Sequence, residues 1–97
     1  DEINRRLYEI SIALGIDIVA TNDCHYLKRE DARAHDILLC IQTGKTVNRK
    51  DRLRFETDQL YFKSPQKMWQ AFKEIPEALL NTIKIAEKCN IKLNLGK

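Results

Sequence analysis

One short apolar run limits what this chain can fold into more than any other feature. Ile16-Asp17-Ile18-Val19-Ala20-Thr21 is β-branched and apolar and predicts a buried strand. Before it, Ile3, Leu7, Ile10 and Leu14 recur at helical spacing, and Gly15 stands where a left-handed residue ends a helix. Helix, glycine, apolar strand is the αβ unit of a parallel sheet. A parallel strand needs neighbours, and the rest of the sequence offers none of the same kind. The first 26 residues are therefore expected to be the part least able to complete itself, with Asp1 to Leu14 loosely docked or mobile.

The predicted strand closes in polar chemistry, Asn22-Asp23-Cys24-His25. A strand that ends in a carboxylate and an imidazole is how α/β proteins present a site at the carboxyl edge of a sheet. Asp23 and His25 are two apart, so in extended geometry they leave one face and Cys24 leaves the other. Asp and His on one face can form half of a metal site. The plainer reading makes Asn22 and Asp23 a turn or cap and leaves His25 on the surface.

Downstream the pattern is mainly helical. Asp31 is a plausible N-cap, Ala34, Ile37, Leu38 and Ile41 make an apolar stripe, and Gly44 ends it. His35 lies beside that stripe with no second ligand one turn away and no evident reason to converge on His25, so it is expected to be structural. Cys40 suits a small buried hydrophobe. Lys45 to Arg54 carries five positive charges against Asp51 alone. It can meet a phosphate backbone, but no aromatic interleaves with the charges, so a solvated loop wrapping the preceding helix is favoured. Leu60, Tyr61 and Phe62 form a brief β-like run with Phe55 placed to pack near it. Ser64-Pro65 and Ile75-Pro76 start two further helices. In the first, Met68, Trp69 and Phe72 read as core. In the second, Leu79, Ile83 and Ala86 face one side, with Asn90 able to take the left-handed conformation that ends it. These two helices, with the one before them, are expected to form the best core. Ile91, Leu93 and Leu95 alternate as a strand or extended exit.

Composition narrows the function classes. Apolar content of 43% and charged content of 32% exclude a disordered chain, and a net charge of +3 permits nucleic acid without demanding it. No apolar run approaches bilayer length and no leader-like start is present, so no membrane partner is expected. Three widely spaced cysteines form neither a disulfide framework nor a zinc ribbon and suit a reducing cytoplasm. Three glycines leave no room for a Walker or Rossmann phosphate loop, and no nucleophile has a base beside it in sequence, so no catalytic residue is assigned. At 97 residues, with a start inside an amphipathic pattern, the chain is expected to be a piece of a longer protein.

Three stretches, ATNDCHYL, EDARAHDILLCIQTGKT and IPEALLNTIKIAEKCN, resemble the C-family of bacterial replicative DNA polymerases, the polymerase III alpha family. The resemblance runs over nearly the whole chain. It implies the last part of the family's N-terminal PHP (polymerase and histidinol phosphatase) domain and the start of the connection to the polymerase body. The implied fold is an α/β fragment, mainly helical: the last αβ unit of a distorted β/α barrel over residues 1–44, a basic loop and short extended arm over 45–63, and a helical pair with an exit strand over 64–97. In the family the Asp and His of the N-D-x-H element are the last ligands of a metal cluster. Asp23 and His25 match them one for one, and the other ligands lie upstream of this stretch. The cluster holds a divalent metal, zinc or manganese, and supports 3′→5′ exonuclease chemistry in some members while the domain is structural in others. The polymerase carboxylates and their magnesium belong to another domain. Implied partners are a DNA primer-template, deoxynucleotides and other replisome subunits, all met in the cytoplasm. Two other readings remain open from the residues: a stand-alone phosphoesterase resembling histidinol phosphatase, and a non-enzymatic helical interaction module using the basic loop.

Overall fold

The computed structural model describes residues 1–96, and these divide into two compact units, one formed by residues 1–21 with 65–96 and the other by residues 22–64. Four α-helices carry the regular structure: α1 (Glu2–Leu14), α2 (Ala32–Thr43), α3 (Pro65–Ala71) and α4 (Pro76–Lys88), with a short 3-10 turn at Arg29–Asp31 before α2. No sheet forms among the described residues. A single parallel bridge joins Tyr26 to Tyr61.

In the first unit, α1 starts because the Asp1 carboxylate accepts from the Ile3 amide (2.8 Å) and the Asn4 amide (3.3 Å). It stops at Gly15, whose φ of 65° lets its own amide reach Ile12 and the Ile16 amide reach Ser11 (3.0 Å). The Ile16–Thr21 run, expected as a strand, is extended without a ladder. Its polar backbone finds α4 instead. The Ala20 amide donates to the Ala78 carbonyl (2.8 Å), and the Asn81 side-chain amide donates to the Ile18 carbonyl (2.8 Å). This reverses the expected face of α4. Ala78 (2% exposed) and Asn81 (8% exposed) turn inward, while Ile83 stays outside. A small residue permits close backbone approach and a polar one satisfies the carbonyl a neighbouring strand would have bonded. Helices α3 and α4 pack on each other in this unit. Both begin at prolines as expected, Pro65 and Pro76. Asn90 does not end α4 by turning left-handed. It keeps negative φ, and its side-chain amide donates to the Glu87 carbonyl (2.6 Å). The Ile91, Leu93 and Leu95 alternation makes no strand, and all three are exposed.

In the second unit, α2 buries Leu39 and Cys40, whereas Ile37, Leu38 and Ile41 of the expected stripe are exposed. Asp31 occupies the N-cap position, but its carboxylate turns back to accept from the Lys28 amide (3.0 Å). Gly44 ends the helix with φ 64°, repeating the geometry at Gly15. The loop that follows does wrap α2. Arg52, its side chain 3% exposed, grips Asp36 through both oxygens at 2.6 and 2.8 Å. That contact holds the Asp36 carboxyl below its ordinary range, chiefly by hydrogen bonding from Arg52.

Candidate functional site

The site is built from the segment Asn22–Tyr26 and the turn Gln59–Lys63. The His25 amide donates to the Leu60 carbonyl (2.7 Å), and the Phe62 amide donates to the Tyr26 carbonyl (3.1 Å). Asn22 staples the same pairing from its side chain, donating to the Tyr61 carbonyl (2.8 Å) and the Gln59 carbonyl (3.4 Å). Lys63 closes the corner. Its ammonium donates to the Gln59 carbonyl and lies 4.4 Å from the centroid of the buried Tyr61 ring. The backbone under Asp23 and His25 is thus fixed by bonds to residues nearly forty positions later.

On this frame the Asp23 and His25 side chains meet, although a tight turn closed by the Cys24 amide on the Asn22 carbonyl (3.0 Å) replaces the expected extended geometry. His25 Nε2 lies 3.1 Å from Asp23 Oδ2, with the Asp23 side chain 77% exposed. Cys24 is engaged elsewhere: its thiol lies 3.7 Å from the Tyr61 carbonyl and 3.6 Å from the Asn22 amide nitrogen. It is no nucleophile for that imidazole.

Two aromatic neighbours complete the surroundings, and sequence reasoning missed one and misplaced the other. His35, expected to stay apart, meets His25 edge to face with ring centroids 5.2 Å apart and lies 5.3 Å from the Tyr26 ring. The Phe55 ring lies 5.1 Å from His25 and 5.7 Å from His35. The signal for His35 was present in the short connection. Only residues 27–31 separate Tyr26 from α2, so the first turn of α2 returns beside the residue the chain has just left. For Phe55 no local pattern points to the imidazoles. The Tyr26 hydroxyl is buried here without a hydrogen-bond partner among the described residues.

A catalytic zinc takes about three protein ligands. Among the described residues no group of three or more His, Cys, Asp or Glu is placed to hold a metal ion. Asp23 and His25 supply two donor groups that touch each other, so by themselves they do not make a complete metal site.

The basic segment is less free than its composition implied. Arg49 pairs with Asp51 (2.6 Å), Lys45 reaches the same carboxylate (3.4 Å), and Arg52 is taken by Asp36. Hydrogen bonding from Arg49 holds the Asp51 carboxyl low, and hydrogen bonding from Arg29 does the same to Asp58 at 2.6 Å. No helix among the described residues is long and apolar enough to cross a membrane.

No protein-family model matches the chain. Curated relatives do. The chain is 48% identical over 90 residues to the DNA polymerase III subunit alpha of Borreliella burgdorferi, covering 93% of this chain and 8% of that protein. It is 47% identical over 94 residues to the subunit of the same name from Campylobacter jejuni, covering 97% of this chain and 8% of that protein. With the Treponema pallidum subunit it shares 49% identity over 87 residues, 90% of this chain and 7% of that protein. The chain thus spans less than a tenth of the length of the relatives it matches, in one continuous stretch. Over nearly all of its length it is homologous to a single segment of DNA polymerase III subunit alpha.

Proposed function

We propose that this chain is a segment of a DNA-templated DNA polymerase acting in bacterial chromosome replication, and that its Asp23 and His25 are metal ligands of that enzyme's PHP domain. Identity of 47–49% across nine-tenths or more of the chain carries the polymerase reading. The metal reading is supported by the match of Asp23 and His25 to the N-D-x-H element and by the meeting of their side chains on a braced segment. Two ligands are too few, so the remaining donors, histidines and carboxylates, come from other parts of the longer polypeptide. Zinc or manganese suits an imidazole–carboxylate set. The working partners are a primer-template, deoxynucleotides with magnesium at a separate polymerase site, and other replisome subunits in the cytoplasm. In this reading Asp23 holds charge at the cluster and His25 donates a ring nitrogen, and neither transfers a proton.

The test uses the full-length subunit, wild type and Asp23→Asn, measuring zinc and manganese content, primer extension, and removal of nucleotides from a 3′ end. The expected result is lower metal content and slower 3′ removal with extension retained. Unchanged metal content in the variant would remove Asp23 from the cluster. Absence of template-directed extension by the wild-type subunit would remove the polymerase reading itself.

A further inference from the structure

Within residues 22–64 an open groove runs along the start of α2 and the segment after the basic loop, lined by Arg33, Arg54, Phe55 and Thr57. Its charges are unequal in availability. Three carboxylates also line it, but Asp36 is held by Arg52 through both oxygens and Asp58 by Arg29 at 2.6 Å. Among the described residues Arg33 and Arg54 make no ion pair or side-chain hydrogen bond, and both are exposed. Two guanidinium groups without a hydrogen-bonded partner thus line the groove with one carboxylate left over, Glu56, and Arg54 lies near enough to Asp36 to help lower its carboxyl. Phe55 lines the same groove, 39% exposed, its ring braced by His25 and His35 at 5.1 and 5.7 Å.

We infer that this groove is a binding track for single-stranded DNA, with Arg33 and Arg54 on consecutive phosphates and a base stacked on Phe55. Guanidinium groups match phosphate oxygens in paired, planar geometry. A partly exposed aromatic held at fixed tilt offers the face that an unpaired base requires, and a duplex would keep its bases out of reach. The groove is open to solvent, which fits a strand better than an enclosed nucleotide. The choice of DNA over another polyanion rests on the polymerase reading. The recognition chemistry comes from the groove alone and needs no metal.

The experiment is fluorescence anisotropy of a labelled twelve-nucleotide thymidine strand with the 97-residue chain in EDTA, at several salt concentrations, with circular dichroism on every variant. Each phosphate neutralised on a single strand contributes about 0.7 to the slope of log affinity against log salt. Replacing both Arg33 and Arg54 by Gln is expected to flatten that slope by about 1.4, whereas Arg49→Gln, in the same basic segment but already paired, changes affinity less than about twofold. Phe55→Leu is expected to weaken binding by about tenfold and Phe55→Tyr to restore it. The track is overturned by wild-type chain that does not bind the strand at low salt. It is equally overturned if Arg49→Gln flattens the slope as much as the double change, if Phe55→Leu binds like wild type, or if a duplex or inorganic polyphosphate competes equally with wild type and Phe55→Leu. Because metal is chelated throughout, these results stand apart from any failure of the metal-cluster reading.

Discussion

Replacing Asn81 by Leu tests whether α4 substitutes for the missing sheet neighbour. Asn81 is 8% exposed and its side-chain amide lies 2.8 Å from the Ile18 carbonyl. Leucine has the same branching and heavy-atom count, so little cavity accompanies the change. What is lost is one hydrogen bond, about 1 kcal/mol net, together with the cost of leaving the half-buried Ile18 carbonyl unpaired, a further 1 kcal/mol or so. Leucine is the better helix former and returns a few tenths of a kcal/mol. The net loss is about 2 kcal/mol, which for a domain of this size lowers the melting temperature by roughly 8–16 °C. Thermal unfolding followed by circular dichroism reads it, and amide exchange localises it. The Ala20 amide, bonded to the Ala78 carbonyl, is expected to lose protection while the α2 amides do not. A melting temperature within about 2 °C of wild type, or Ala20 protection unchanged, would show that the Ile16–Thr21 segment does not depend on this bond.

Gly44→Ala is expected to cost about 1 kcal/mol from left-handed backbone strain alone, because φ there is 64° and nothing lies within 4 Å of an added Cβ; thermal unfolding measures it, and a neutral result would remove the strain argument. Asp36 has a folded-state pKa below its ordinary 3.8 because of Arg52, so its contribution is full above that value and fades as pH falls through the lowered one. The melting-temperature gap between wild type and Asp36→Asn is therefore expected to shrink from about pH 6 to about pH 2, and a gap independent of pH would refute the pairing. The isolated 97-residue chain is expected to bind zinc weakly and without fixed stoichiometry in calorimetric titration. Tight one-to-one binding lost on His25→Ala would mean the site is local.

Helix ends were the most legible part of the sequence, because their causes are local. Gly15 and Gly44 end helices by a backbone conformation that glycine adopts freely, and Pro65 and Pro76 open helices where a missing amide costs nothing. Faces were less legible. The apolar stripes of α2 and α4 predict inward faces that the structure leaves partly exposed, because Asp36 and Asn81 have partners, Arg52 and Ile18, that periodicity does not register. Asp31 and Asn90 show the same limit at the scale of one turn. Each residue type was right for a helix end, but the Asp31 carboxylate turns back to the Lys28 amide, and Asn90 acts through its side-chain amide instead of a left-handed backbone. For the site, the spacing of Asp23 and His25 suggested a meeting that the structure makes through a tight turn at Asp23, closed by the Cys24 amide on the Asn22 carbonyl (3.0 Å), and not through strand alternation. His35 arrives through the short connection into α2, whereas the arrival of Phe55 depends on how residues 27–55 fold back, which no spacing encodes.

The stapling of Asn22 to Gln59 and Tyr61 also bears on the order in which the chain folds. Asn81 must find Ile18 across 63 residues, and most of that separation is residues 22–64. Once Asn22 and the Tyr26–Tyr61 bridge have joined the two ends of that stretch, the open length to be closed falls to about 20 residues. Loop-closure entropy scales with the logarithm of length, so the shorter search saves about 1 kcal/mol, or about fivefold in the probability of encounter. Folding of residues 22–64 first is thereby favoured, and loosening the Asn22 side chain would slow the docking of Ile18 onto Asn81 through chain statistics.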